Sequence, residues 1–194
     1  MGEAVAQQAR RHPRLARCRR DDRAPPKLTV ELVYLSGGSN VRPEHHLSLA
    51  ARELKRSFPG TRFSRCYRNV AIGFEGPDFI NFAAELPVHD APDAVRAELQ
   101  RIESVCGREP GAPRWAPRSM DLDVLLFGDR VLQEPGLVVP RPDLLKRAFM
   151  LGPLAELAPG VVHPTSRRTL AELWDAFDRA AHPLIAVDLD LAAA

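Results

Sequence analysis

The chain has 194 residues, 45% hydrophobic and 27% charged, a make-up that fits one soluble domain with a real core and does not call for two. Its formal net charge of +2 excludes general polyanion binding, so any basic function must rest on local clusters. Cys18, Cys66 and Cys106 are far apart and odd in number, without a CxxC pair, which argues against both a zinc ribbon and a disulfide framework. This cysteine usage predicts a reducing, cytoplasmic setting. No apolar run is long enough to span a bilayer, and the N-terminal residues lack the apolar stretch of a secretory signal.

Residues 1–26 are arginine-rich and have no sustained apolar face, which predicts a disordered basic tail ahead of a single domain over 27–194. Residues 28–35 alternate as a strand does, and the following Ser36-Gly37-Gly38-Ser39-Asn40 predicts a loop. A helix is expected from Pro43, burying Leu47, Ala50, Ala51 and Leu54 and ending before Gly60. Strands are predicted over 61–67 and 79–86. Asp90 is placed to cap the next helix, whose buried stripe is Val95, Leu99 and Ile102, with Gly107 beyond its end.

Residues 120–127 form the fourth strand. The apolar second half of that strand predicts a central position covered on both faces. Gly128-Asp129 turns the chain, and residues 147–157 read as an apolar helix. The run Thr169-Leu170-Ala171-Glu172 is a capping box for a last helix that buries Leu170, Leu173, Trp174 and Phe177. Residues 184–187 either add an edge strand or trail off. The order strand-helix-strand-strand-helix-strand predicts an α+β fold: a ferredoxin-like βαββαβ core with extra helices, in a three-layer α/β/α sandwich.

Asp121-Leu122-Asp123 is the most informative triplet. Residues two apart on a strand face one way, so both carboxylates share a side. Two like charges held close together call for a cation, and Mg²⁺ is a hard ion that joins carboxylates to phosphates. The plain alternative is a pair of solvent-facing acids. Arg108, Arg114 and Arg118 lead into the pair, and Arg141, Lys146 and Arg147 follow it. They are either surface ion pairs or a phosphate clamp beside a metal. Trp115 is either a rim aromatic or a stacking surface for a flat heterocycle. No GxxxxGK[ST] loop is present.

Several segments, in order, resemble the 6-hydroxymethyl-7,8-dihydropterin pyrophosphokinases of folate biosynthesis. They are GGSN at 37–40, Tyr67-Arg68, Phe79-Ile80-Asn81, Arg101-Ile102-Glu103 with Gly107-Arg108, and the RWAPRSMDLD run at 114–123. Leu126-Phe127-Gly128, Val139-Pro140 and the segment from Arg147 to Leu154 complete the set. The resemblance covers about residues 28 to 165. It implies ATP-dependent pyrophosphoryl transfer to the pterin, with AMP as the second product.

On matching positions, the resemblance implies that Asp121 and Asp123 bind two Mg²⁺ ions between ATP and the pterin hydroxyl. Arg108 and Arg118, counted with these acids as catalytic, close over the phosphates. Arg114 and Arg147 bind ATP, with Gln100 and Glu103 on the helix nearby. Trp115 and Phe149 sandwich the pterin, Asn81 reads its polar edge, and Asn69, Ile72 and Phe79 complete the pocket.

Relatives typically carry a histidine where Arg141 follows Pro140. Arginine stays protonated, so Arg141 is predicted to clamp phosphate. Asn69-Val70 and Pro110 also depart from the family pattern. A diverged paralogue with altered substrate or activity is therefore one alternative. A non-catalytic ligand- or nucleic-acid-binding ferredoxin-like module is another, but it leaves the Asp–Arg constellation without a role. The expected partners are ATP and a hydroxymethyl-pterin, with no membrane, no nucleic acid and a monomeric state.

Overall fold

A computed structural model describes residues 30–70, 76–109 and 117–194. The proposed tail over 1–26, the pterin-pocket positions Ile72 and Trp115 and the ATP-binding position Arg114 lie outside the described residues, as does Pro110.

The first strand, β1, spans Glu31–Ser39 and so runs through the glycines expected to form a loop. They act by close approach. In the antiparallel register of β1 with the strand Phe79–Val88, Gly37 faces Phe82 and Gly38 faces Asn81. A Cβ at Gly37 would overlap the Phe82 ring, and one at Gly38 would overlap Asn81 Oδ1. The turn comes later, at Arg42, whose φ of 44° is left-handed.

Helix α1 spans Pro43–Ser57 and buries the four predicted residues. The single strand expected over 61–67 is broken into β2 (Arg62–Phe63) and β3 (Cys66–Asn69). Ser64 is the cause: its hydroxyl accepts from the Ala83 N–H at 2.8 Å, while its own N–H donates to Ala83 O at 2.9 Å. A side chain thus replaces one ladder partner.

The long strand Phe79–Val88 is β4. Helix α2 spans Pro92–Val105, with Ala91 rather than Asp90 at its N-cap and no side-chain capping bond. Pro92 needs no N–H acceptor and has φ already set for the first turn, so it fixes the start one residue past the reach of Asp90. The other end follows the sequence expectation. Gly107, at φ 82°, lets its own N–H reach Ser104 O and the Arg108 N–H reach Glu103 O, a Schellman closure that folds Arg108 back over Glu103.

Strand β5 spans Asp121–Phe127 and is followed by a hairpin, β6 (Leu132–Glu134) and β7 (Leu137–Val139), that the sequence pattern did not reveal. Helix α3 covers Ala148–Leu157 and helix α4 Leu170–Asp175, the latter opened by the predicted Thr169/Glu172 capping box. Leu170 is fully buried, whereas Leu173, Trp174 and Phe177 are only half-buried, because the helix is short and Phe177 lies past its end. Residues Ile185–Val187 form β8, so the C-terminal run does add an edge strand.

The main sheet has the order β5-β1-β4-β3-β8, with β2 also on β4, and every pair is antiparallel. The core order is that of the split βαβ fold. Leu47, Leu54, Leu99 and Ile102 of α1 and α2 pack against Val33, Leu35, Phe82 and Leu122 on one face. Leu151, Leu154 and Leu170 pack against Tyr34, Ala83 and Leu125 on the other. This is the expected three-layer α/β/α sandwich.

Strand β5 departs from its expected place: it stands at the end of the sheet. Its apolar run reflects two covered faces, not two hydrogen-bonded neighbours. Among the described residues, no helix is long and apolar enough to cross a membrane.

Candidate active site

The free edge of β5 is where the polar residues gather. Asp121 and Asp123 share one side of the strand, while Leu122 and Val124 turn into the α1/α2 layer. The Leu122 N–H, with no strand beyond it among the described residues, donates to Glu103 Oε1 at 2.7 Å. Three residues on, the Arg141 N–H donates to Leu125 O at 2.9 Å. Two side chains from other segments are thereby pinned along the edge.

Glu103 also accepts from Arg108, and Arg108 Nη1 donates to Asp121 Oδ1 at 2.5 Å. Arg141 Nη1 lies 2.9 Å from Asp123 Oδ1. Each aspartate therefore has its own arginine. These residues, with Gln100, line a cleft of about 200 Å³ between α2, β5 and the β6–β7 hairpin.

The electrostatics suit a cation. Burial and the neighbouring Asp121 charge push the Asp123 carboxyl up, against the pull of Arg141 and Arg108. Burial pushes Glu103 up to about 7, despite the hydrogen bond from Leu122 and the nearby Arg108. Carboxylates that resist ionisation when packed together are the donor set that a divalent ion relieves. Among the described residues, no group of three or more His, Cys, Asp or Glu forms a complete metal cage. Mg²⁺ commonly takes only one or two carboxylates and completes its shell with water and substrate phosphate, so the Asp pair fits it.

Two buried side-chain nitrogens among the described residues lack a hydrogen-bond partner, Arg96 Nε and Arg141 Nε. Both belong to residues lining this cleft.

The remaining predicted residues fall into two groups. Asn81 is buried on β4 and donates through Nδ2 to Asn69 Oδ1 at 2.5 Å, so the two amides form one polar edge beside Gly38. Phe79 is half-buried next to it. Phe149, Arg147 and Asn69 line a second, mostly apolar cavity of about 200 Å³, together with Lys146 and the segment 181–184. Arg147 therefore borders this second cavity, not the acid cleft.

Arg118 is held through its backbone. Its N–H donates to Asn40 Oδ1 at 2.7 Å, and its carbonyl accepts from the Asn40 and Val41 N–H groups and from Ser39 Oγ. Asn40 Nδ2 in turn reaches Pro77 O at 3.2 Å. The Ser39-Asn40 half of GGSN thus ties together the segments carrying Arg118 and Phe79, a role that the short motif alone did not disclose. Arg96 was likewise missed, although its spacing of four and seven residues from Gln100 and Glu103 places all three on one helical face.

The ferredoxin-like domain thus carries paired acids and arginines at its sheet edge, and its sequence holds no P-loop motif, an arrangement able to bind a metal-bound phosphate. A family model described as 7,8-dihydro-6-hydroxymethylpterin-pyrophosphokinase (HPPK) matches residues 34–159. The chain belongs to this family.

Among curated relatives, the 2-amino-4-hydroxy-6-hydroxymethyldihydropteridine pyrophosphokinase of Aquifex aeolicus is 34% identical over 142 residues, 72% of this chain and 88% of that protein. The enzyme of the same name from Pseudomonas aeruginosa is 38% identical over 142 residues, 71% and 87% of the two chains. Crystal structures of Plasmodium falciparum HPPK-DHPS superpose with a TM-score of 0.59 at 13% identity. The match covers 76% of this chain and 43% of that one, so it spans less than half of those longer proteins and supports the fold.

Proposed function

We propose that this chain transfers a pyrophosphoryl group from ATP to 6-hydroxymethyl-7,8-dihydropterin, releasing AMP, as a cytoplasmic, monomeric enzyme of folate biosynthesis. The observation that carries this reading is the Asp121–Asp123 pair, each acid matched to its own arginine, in a cleft of a chain that belongs to the pyrophosphokinase family.

Asp121 and Asp123 would hold Mg²⁺, two ions in this reading, and the metal would supply charge neutralisation between the phosphates and the incoming hydroxyl. The remaining work falls to the chain itself. Arg108 and Arg141 neutralise the acids in the free protein. On arrival of ATP they turn their donors to the phosphate oxygens, so positive charge is in place before the reaction begins. Arg118, fixed by Asn40, and Arg114 add donors around the triphosphate, with Gln100 on α2 beside it.

Asn81 and Asn69 read the amide-like edge of the pterin, and Phe79 and Ile72 close its pocket. Phe149 and Trp115 stack on the ring. The pterin hydroxyl oxygen bonds to the β-phosphorus, the bond from that phosphorus to the α–β bridging oxygen breaks, AMP leaves and the hydroxyl proton passes to solvent. No side-chain nucleophile is used.

The direct test supplies ATP, Mg²⁺ and hydroxymethyl-dihydropterin and follows AMP and pterin diphosphate by ³¹P NMR. Stoichiometric AMP and pterin diphosphate are expected. Folded protein that forms neither product overturns the proposal.

A further inference from the structure

The acids, Arg108 and Arg141 occupy only one end of the cleft. Its other end is formed by α2 and the β6–β7 turn, where Arg96, Leu99, Gly136 and Val138 line the wall. Arg96 and Glu103 are seven residues apart on α2, which places them about 10 Å apart along the helix axis. An ATP molecule whose β- and γ-phosphates meet the acids would extend its nucleoside half over such a distance.

Arg96 is shaped for that half. Its side chain is one-third exposed and its Nη2 reaches Asp93 Oδ1 at 3.1 Å, a solvent-facing pair of small worth. The opposite nitrogen, Nη1, rests on Gly136: a Cβ there would lie 2.9 Å from it. The bare glycine therefore makes room for the guanidinium across the cleft. Nε is buried and unpaired among the described residues, a donor withdrawn from water and lacking an acceptor. Arg141 Nε, the other such donor, lines the same cleft. Burying an N–H without a partner is unfavourable, and an oxygen of the bound ligand removes that cost.

We infer that Arg96 is a nucleotide-binding residue that gives its Nε–H to an oxygen of the AMP half of ATP, either a ribose hydroxyl or the α-phosphate. The inference rests on ATP being the donor substrate. It assigns the α2 face carrying Arg96, Gln100 and Glu103 to the whole length of the nucleotide, with Glu103 at the phosphate end.

The experiment measures binding of Mg-ATP and Mg-2′,3′-dideoxy-ATP by calorimetry, without pterin so that no turnover occurs. The proteins are the wild type, Arg96→Leu and Arg96→Lys. Leucine suits a helix as well as arginine does, and melting curves report the fold of each variant. Loss of a charge-assisted hydrogen bond predicts about tenfold weaker ATP binding by Arg96→Leu. Lysine keeps the charge but lacks the Nε–H, so it restores only part of the loss.

If Arg96→Leu weakens ATP but not the dideoxy analogue, the acceptor is a ribose hydroxyl. Equal weakening of both places it on the α-phosphate. Unchanged affinity for both ligands in folded Arg96→Leu overturns the inference and leaves the proposed activity standing. Wild-type protein that binds neither nucleotide overturns both.

Discussion

Removal of Arg141 has two effects of opposite sign, which makes it a sharp probe of the cleft. In the free protein its guanidinium lies 2.9 Å from Asp123, with the two side chains 32% and 27% exposed. At that exposure the pair contributes about 1 kcal/mol after screening, well below the gross Coulomb figure of about 4 kcal/mol at an effective dielectric of 20. Arg141→Ala takes away the cation that competes with a metal for Asp123. Mn²⁺ without nucleotide is expected to bind about fivefold more tightly, the equivalent of about 1 kcal/mol. Phosphate binding moves the other way. A lost charge-assisted hydrogen bond of about 1.5–3 kcal/mol weakens Mg-ATP by roughly 10- to 150-fold. Electron paramagnetic resonance of free Mn²⁺ measures the first effect and calorimetry with ATP the second. ATP affinity that stays unchanged refutes the clamp. Weakening of both ligands together indicates a general structural role and refutes the counter-ion exchange. Arg141→His should create a new ionisation in the pH–rate profile, because histidine titrates where arginine does not.

Other positions make independent predictions. Gly37→Ala forces a methyl into the fully buried Phe82 ring, and overpacking of this kind costs about 1–3 kcal/mol, so the melting temperature should fall by several degrees; an unchanged value would sink the close-approach account. Thr169→Ala removes the capping box of α4 at a cost of about 1 kcal/mol, seen as a lower urea midpoint with ATP affinity retained. His163 is buried, and burial lowers its pKa below the usual 6.5. The fold thus favours the neutral ring. Its contribution is complete above pH 6.5 and is lost as pH falls from there through the folded value. Urea midpoints of the wild type should drop on acidification through that window more steeply than those of His163→Gln, and parallel curves would contradict the assignment.

The elements legible in the sequence were those whose signal is local and repeated. The apolar spacing of Leu47, Ala50, Ala51 and Leu54 marks α1, and the Thr169 capping box marks the start of α4. The errors have a common origin in partners distant along the chain. Gly37 and Gly38 carry the composition of a turn, but what they answer to is Phe82 and Asn81 on β4. The break between β2 and β3 depends on the Ser64 hydroxyl finding Ala83. The place of β5 at the end of the sheet could not be read from Leu122 to Phe127, because hydrophobicity reports coverage and is blind to hydrogen-bonded neighbours.

In the site, strand periodicity showed that Asp121 and Asp123 share a side, the motif pattern marked Arg108 as a candidate, and the departure from that pattern after Pro140 marked Arg141. It did not show which arginine meets which acid. That follows from the Schellman closure at Gly107 and from the backbone bond between Arg141 and Leu125. Arg96 stayed hidden because its meaning lies in a nitrogen without a partner and in a glycine across the cleft.

The two hydrogen bonds that pin Glu103 and Arg141 along β5 also bear on solubility. A terminal strand with free N–H and C=O groups and an apolar run such as Val124-Leu125-Leu126-Phe127 is a template for strand addition by another molecule. Glu103 occupies one donor on that edge and the Arg141 N–H one acceptor, so residues proposed to serve the nucleotide also take up two of the groups that a second chain would need to dock there. Selection against aggregation and selection for turnover would then act on the same few atoms. A substitution at Glu103 would be felt as precipitation in the cell as much as a loss of rate in the test tube.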